Sequence, residues 1–155
     1  MQASHVTPAI QLLDVIAPAA AALLFVFVLS RLREPVQRKA MAVMTAGFAT
    51  AYLGGGLGAW ELLYLVPASY VAYRALDSYR FIALGWFMHP VWDLVHHFYG
   101  NAIWPWMPTS SIGCAIFDPI VAIWALSVAR SQGLRPRDQP SESGPGSAPY
   151  LPRPR

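Results

Sequence analysis

The sequence predicts an all-α fold, a polytopic membrane helix bundle of about five transmembrane helices, from three observations. Hydrophobic residues make up 55% of the 155 positions and charged residues 12%, against about 25% charged in a typical soluble domain. The apolar residues lie in long runs. The eleven Lys and Arg residues sit in short clusters between and after those runs. The length is that of one domain.

A helix needs about 20 apolar residues, with a range of roughly 17–25, to cross the hydrocarbon core. Residues 8–29, 40–57, 81–99 and 112–129 meet this easily. A fifth run, residues 60–73, is shorter and contains Glu61 and Pro67. Charge decides its status. Arg31, Arg33, Arg38 and Lys39 follow the first run, Arg74 and Arg80 follow the doubtful one, and Arg130, Arg135, Arg137, Arg153 and Arg155 end the chain. Five spans with the N-terminus outside place all of them on the cytoplasmic side, as the positive-inside rule expects. Four spans do not. The expectation is N-out/C-in, multi-pass in the cell membrane.

The same clustering argues against nucleic acid, because basic groups between apolar runs read as topology rather than as a phosphate-binding face. The single cysteine, Cys114, allows no intramolecular disulfide and no Cys-based metal motif. Residues 1–7 carry no Lys or Arg, so a cleaved secretory signal is not expected.

The connections are distinctive. Residues 54–58 are Gly-Gly-Gly-Leu-Gly, a tight turn between the second and third runs. Residues 101–111 form a polar and aromatic loop, and Trp104 and Trp106 with Phe98 and Tyr99 suit an interfacial aromatic belt. Ala42, Ala46, Thr50, Gly54 and Gly58 recur at a spacing of four, a small-residue stripe for close helix packing within the chain or in a homo-oligomer. The membrane domain spans residues 1–132. Residues 133–155, rich in Pro, Ser, Gly and Arg, read as a disordered cytoplasmic tail.

The fourth run carries the chemistry. At about 100° per residue, His89, Asp93 and His96 fall within an arc of about 60°, and His97 lies about 40° further round. Pro90 removes a donor to the Trp86 carbonyl. Ionisable groups at membrane depth face the bundle interior or a water-filled cavity. Asp14, Glu61 and Asp118 fall at a similar level, in the outer half, on other runs. Imidazole and carboxylate together suit a transition metal, zinc or iron. His89, Asp93, His96 and His97 are the expected ligands. Asp118 and Glu61 are expected to complete the shell, to orient an imidazole or to act as general base. Each feature also has a plainer reading. Intramembrane His residues often serve packing, Asp14 and Glu61 can simply pair with them, and Cys114 suits packing better than ligation. Asp118-Pro119 can be a helix N-cap followed by Pro at N1, which would shorten the last helix.

Residues 89–97, His-Pro-Val-Trp-Asp-Leu-Val-His-His, and residues 108–119, Pro-Thr-Ser-Ser-Ile-Gly-Cys-Ala-Ile-Phe-Asp-Pro, resemble an uncharacterised family of small bacterial integral-membrane proteins, a domain of unknown function. That resemblance implies a membrane fold and supplies no activity. The Asp93-x-x-His96-His97 element is also similar to the H-x-x-H-H boxes of membrane fatty-acid hydroxylases and desaturases, but there is one box here and its first His is Asp93. Membrane hydrolases of the ceramidase and adiponectin-receptor type combine His, Asp and Ser around zinc with a different spacing and helix count.

The expected function is a metal-binding membrane protein with membrane lipids as partners, and action as an enzyme on a lipid-like substrate is left open. The alternatives are a proton- or metal-coupled transporter, and a structural or accessory subunit without a bound ligand.

Overall fold

A computed structural model describes residues 9–51, 56–101, 104 and 106–134. Five α-helices and no strand occur among them: α1 Leu12–Leu29, α2 Val36–Ala51, α3 Leu62–Ala75, α4 Tyr79–Tyr99 and α5 Ser110–Leu134. A 3-10 turn, Gly58–Glu61, leads directly into α3. Gly54, Gly55 and the expected tail beyond Leu134 lie outside the described residues, and the last helix reaches two residues past the expected boundary at 132.

The helices run up and down, and side chains tie each end. At the basic end, Gln37 at the start of α2 donates its Nε2–H to the Leu29 carbonyl at the end of α1, 2.7 Å away. Arg38 Nε donates to the Leu76 carbonyl just past α3 at 3.0 Å. The Tyr79 hydroxyl, at the start of α4, donates to Glu34 Oε1. At the opposite end, hereafter the loop end, Thr109 Oγ1 donates to Asp14 Oδ1 at 2.9 Å and joins the starts of α5 and α1. Gly56, with φ +94°, backs onto the Asn101 side chain just past α4. Its left-handed backbone is one that L side chains rarely adopt.

α4 is the central helix and packs against α5, α3 and α2, while α1 packs on α5. Small side chains allow the close approach: Ala22, Ala42, Ala75, Ala83, Ala122 and Ala125 are all buried. Gly85 belongs with them, because a Cβ there would lie 2.3 Å from Thr45 Cγ2 on α2. Trp86 occupies the middle of the bundle, with Phe48 edge-on at 4.6 Å between ring centroids and Phe25 at 5.6 Å.

Many large apolar side chains are exposed along the helices. Leu12, Leu13, Leu23 and Leu24 of α1, Leu62, Leu63 and Val66 of α3, and Phe87, Val91 and Phe98 of α4 are exposed. Glu61, His89, Asp93, His96, His97 and Asp118 are buried. Buried polar groups beneath exposed apolar side chains are the informative combination.

The five-span expectation meets a stricter test. Among the described residues two helices, Leu12–Leu29 and Ser110–Gly133, are long and apolar enough to cross a membrane. α4 has 21 residues, about 31 Å at 1.5 Å per residue, but its His, Asp and Pro residues lower its mean hydropathy. α2 and α3 are shorter, at 16 and 14 residues. Pro18, Pro67, Pro90 and Pro119 all lie inside helices. α5 therefore passes through Asp118-Pro119 unbroken, and the reading of that pair as a helix start does not hold.

Candidate metal centre

His89 and Asp93 sit one turn apart on the buried face of α4, as their i, i+4 spacing requires. Asp118 reaches them from α5. His89 Nδ1 is hydrogen-bonded to Asp118 Oδ2 and lies 3.5 Å from Asp93 Oδ2. The three residues each offer a ligand atom, and these atoms lie within 4.8 Å of one another. They form a buried group that can hold a metal ion. Phe48 stacks on the His89 ring, 4.5 Å between centroids and 17° from parallel.

The group has an electrostatic deficit. Asp93 is fully buried, and neither of its carboxylate oxygens has a hydrogen-bond partner among the described residues. Two carboxylates in a low-dielectric interior require positive charge nearby, either a proton or a cation. Along the line from His89 Nδ1 to Asp118 Oδ2 the same requirement is local, because two lone pairs facing each other repel.

Glu61 and His96 make a second polar group. His96 Nε2 lies 3.0 Å from Glu61 Oε1, and Trp92 Nε1 donates to Glu61 Oε2 at 3.2 Å. His96 is thus turned toward α3, away from the Asp118 side of α4. His97 is buried with its ring edge-to-face on Phe98, 5.1 Å between centroids, and does not snorkel. Asp14 stays out of the centre. It accepts from the Gln11 N–H at 2.8 Å and from Thr109, and so caps its own helix.

Of the expected ligands, then, the fold gathers His89 and Asp93 into one group, joins Asp118 to them, and places His96 with Glu61 in another. Trp92 and Phe48 were not read from the sequence as site residues. Trp92 had a signal, because it lies four residues before His96 on the same face. Phe48, a hydrophobic residue on another helix, had none.

A profile built on a protein family matches residues 13–131, which takes in every residue of both groups. The chain belongs to DUF6010, a family of unknown function. DUF6010 membership agrees with the resemblance noted in the sequence in that neither carries an assigned activity. No curated protein and no solved structure matches the chain.

Beside the centre, a groove of about 490 Å³ runs between α1 and α5. Ala17, Pro18, Ala21, Gly113 and Phe117 line it, and Asp14 and Ser110 stand in its wall. Phe117 precedes the centre's Asp118 in sequence, and Cys114 faces the groove one turn earlier.

Proposed function

We propose that this chain is a five-span protein of the cell membrane, N-terminus outside, that holds a divalent zinc or iron ion at His89, Asp93 and Asp118 and acts on a lipid-like substrate. The observation that carries the proposal is Asp93, a fully buried carboxylate whose oxygens accept no hydrogen bond among the described residues and have His89 Nδ1 only at ion-pair distance, 3.5 Å. A dication beside two carboxylates and a neutral imidazole balances the local charge, and that mixed nitrogen and oxygen donor set suits zinc or iron.

Apolar side chains around buried ionisable ones support a bilayer setting. The shorter helices α2 and α3 fit a bilayer that thins locally to match them. Three protein ligands leave coordination positions open, and a bound metal ion would supply Lewis acidity and a water acidic enough to attack. The chain's own contribution is to exclude water, to hold the ligands between α4 and α5, and to border the centre with a groove of acyl-chain character. That groove is the reason to favour a lipid-like substrate.

Metal analysis of protein purified without a His tag tests the reading. About one zinc or iron ion per chain is expected, lost in Asp93→Asn and in Asp118→Asn. Protein without stoichiometric metal, unresponsive to added zinc or iron, would sink it. A proton- or metal-coupled transporter is the second reading, favoured by the two buried carboxylate–imidazole groups that α4 carries, Asp93 of one and His96 of the other lying about one turn apart. Cation flux into liposomes, abolished by Asp93→Asn, would select it over an enzyme.

A further inference from the structure

We infer that His96 and Glu61 form a separate site that stores one proton, an acid–base pair near the loop end of the bundle. The inference goes beyond the metal reading and does not depend on it.

Donors and acceptors around the two side chains set the proton count. His96 Nδ1 lies 3.1 Å from the Trp92 carbonyl oxygen. A carbonyl can only accept, so Nδ1 carries a hydrogen. A neutral ring with its proton on Nδ1 presents a lone pair at Nε2. That atom faces Glu61 Oε1 at 3.0 Å, and an ionised carboxylate also presents only lone pairs. Two acceptors at that distance repel unless a proton lies between them. The pair is therefore either imidazolium with carboxylate or imidazole with carboxylic acid. Both forms hold the same number of protons, and both are neutral overall.

The other donors to Glu61 leave this count intact. Glu61 Oε1 also accepts from the Leu57 N–H at 3.3 Å, and Oε2 accepts from Trp92 Nε1–H at 3.2 Å. Both are donors that cannot take up the shared proton. His96 is 1% exposed and Glu61 4%, so bulk water does not substitute for either partner. Tyr64 stacks flat on Trp92 at 5.5 Å between centroids and holds the indole in place.

Location gives the pair a use. Glu61 ends the 3-10 turn, whose earlier residues Gly58, Ala59 and Trp60 are exposed. His96 lies one turn from Asp93 along α4. The shared proton thus sits between the loop-end solvent and the carboxylate centre, where an acid–base group can deliver or accept a proton.

Solid-state NMR of the full chain in lipid bilayers, with labelled His nitrogens and Glu carboxyl carbons, decides the matter. His96→Gln assigns the signals. Wild-type protein near neutral pH is expected to show His96 Nδ1 protonated and one further proton shared between Nε2 and Glu61. Glu61→Gln is expected to leave a neutral His96 whose Nε2 accepts from the new amide, with one bound proton lost per chain. A neutral His96 facing an ionised Glu61 in the wild type would overturn the proposal, and that measurement needs no variant to fold. Treatment with a metal chelator is expected to leave the His96 signals in place. A change on chelation would refute the separateness of the two sites.

Discussion

Replacing Asp93 by Asn separates a ligand from a structural group. Asn has nearly the same shape and no charge. Because the Asp93 oxygens accept no hydrogen bond among the described residues, the change orphans no donor. His89 keeps its bond to Asp118. With a chelator present, Asp93→Asn should therefore fall within about 1 kcal/mol of the wild type. With metal at about one hundred times its dissociation constant, the wild type should gain about 2.7 kcal/mol, and the variant, lacking one of three ligands, almost none. Asp118→Asn provides the contrast. It strips the charge from the hydrogen bond to His89, and because a bond to a charged group is worth about 1.5–3 kcal/mol against about 1 kcal/mol for a neutral one, it should destabilise with or without metal. Chemical denaturation in detergent, followed by tryptophan fluorescence, measures all three. A loss of about 2 kcal/mol or more in chelated Asp93→Asn would show that Asp93 supports the fold in ways its lack of partners does not reveal.

Four further outcomes follow from the geometry. Gly85→Ala should cost about 1–3 kcal/mol, since the new Cβ would lie 2.3 Å from Thr45 Cγ2 and 3.3 Å from Val71 Cγ1. Thr45→Ser removes that Cγ2 and should recover part of the loss in a double-mutant cycle on thermal stability. Tyr79→Phe should cost about 1 kcal/mol in denaturant unfolding, the loss of its bond to Glu34. Metal affinity measured by calorimetry should rise with pH, because the metal displaces a proton held between its ligands; a fall with rising pH would contradict the ligand set. In a Cys114→Ser background, an impermeant maleimide on intact cells should label Asn101→Cys and spare Arg33→Cys, and the reverse pattern would reject the N-out orientation.

The sequence foretold helices better than neighbours. Run length and apolar content marked α1, α2, α4 and α5, because a helix along any such run pairs its own backbone groups within the segment. α3 is 14 residues long and contains Pro67, so only the balance of charge revealed it. The shared face of His89 and Asp93 was legible because helical period is local. The partner that each would meet was not. Depth alone put Asp14, Glu61 and Asp118 at one level, and only packing distinguishes them. α5 brings Asp118 to His89, the turn before α3 brings Glu61 to His96, and α1 leaves Asp14 to cap itself. The N-terminal Gln11 and Asp14, three residues apart at a helix start, did hold that last signal.

Pro90 follows His89 directly, and Pro119 follows Asp118. A proline within a helix leaves the carbonyl four residues earlier without its N–H partner, here those of Trp86 and Ala115. α4 and α5 are thus mechanically softest at the same depth, beside the contact that joins them. Whatever bridges His89 to Asp118, proton or cation, acts as a clamp across two hinges. Its removal would free the loop-end halves of both helices to pivot while the alanine-packed halves below stay fixed. Occupancy of the centre would then register as a change of angle, readable as a distance between spin labels at the loop end.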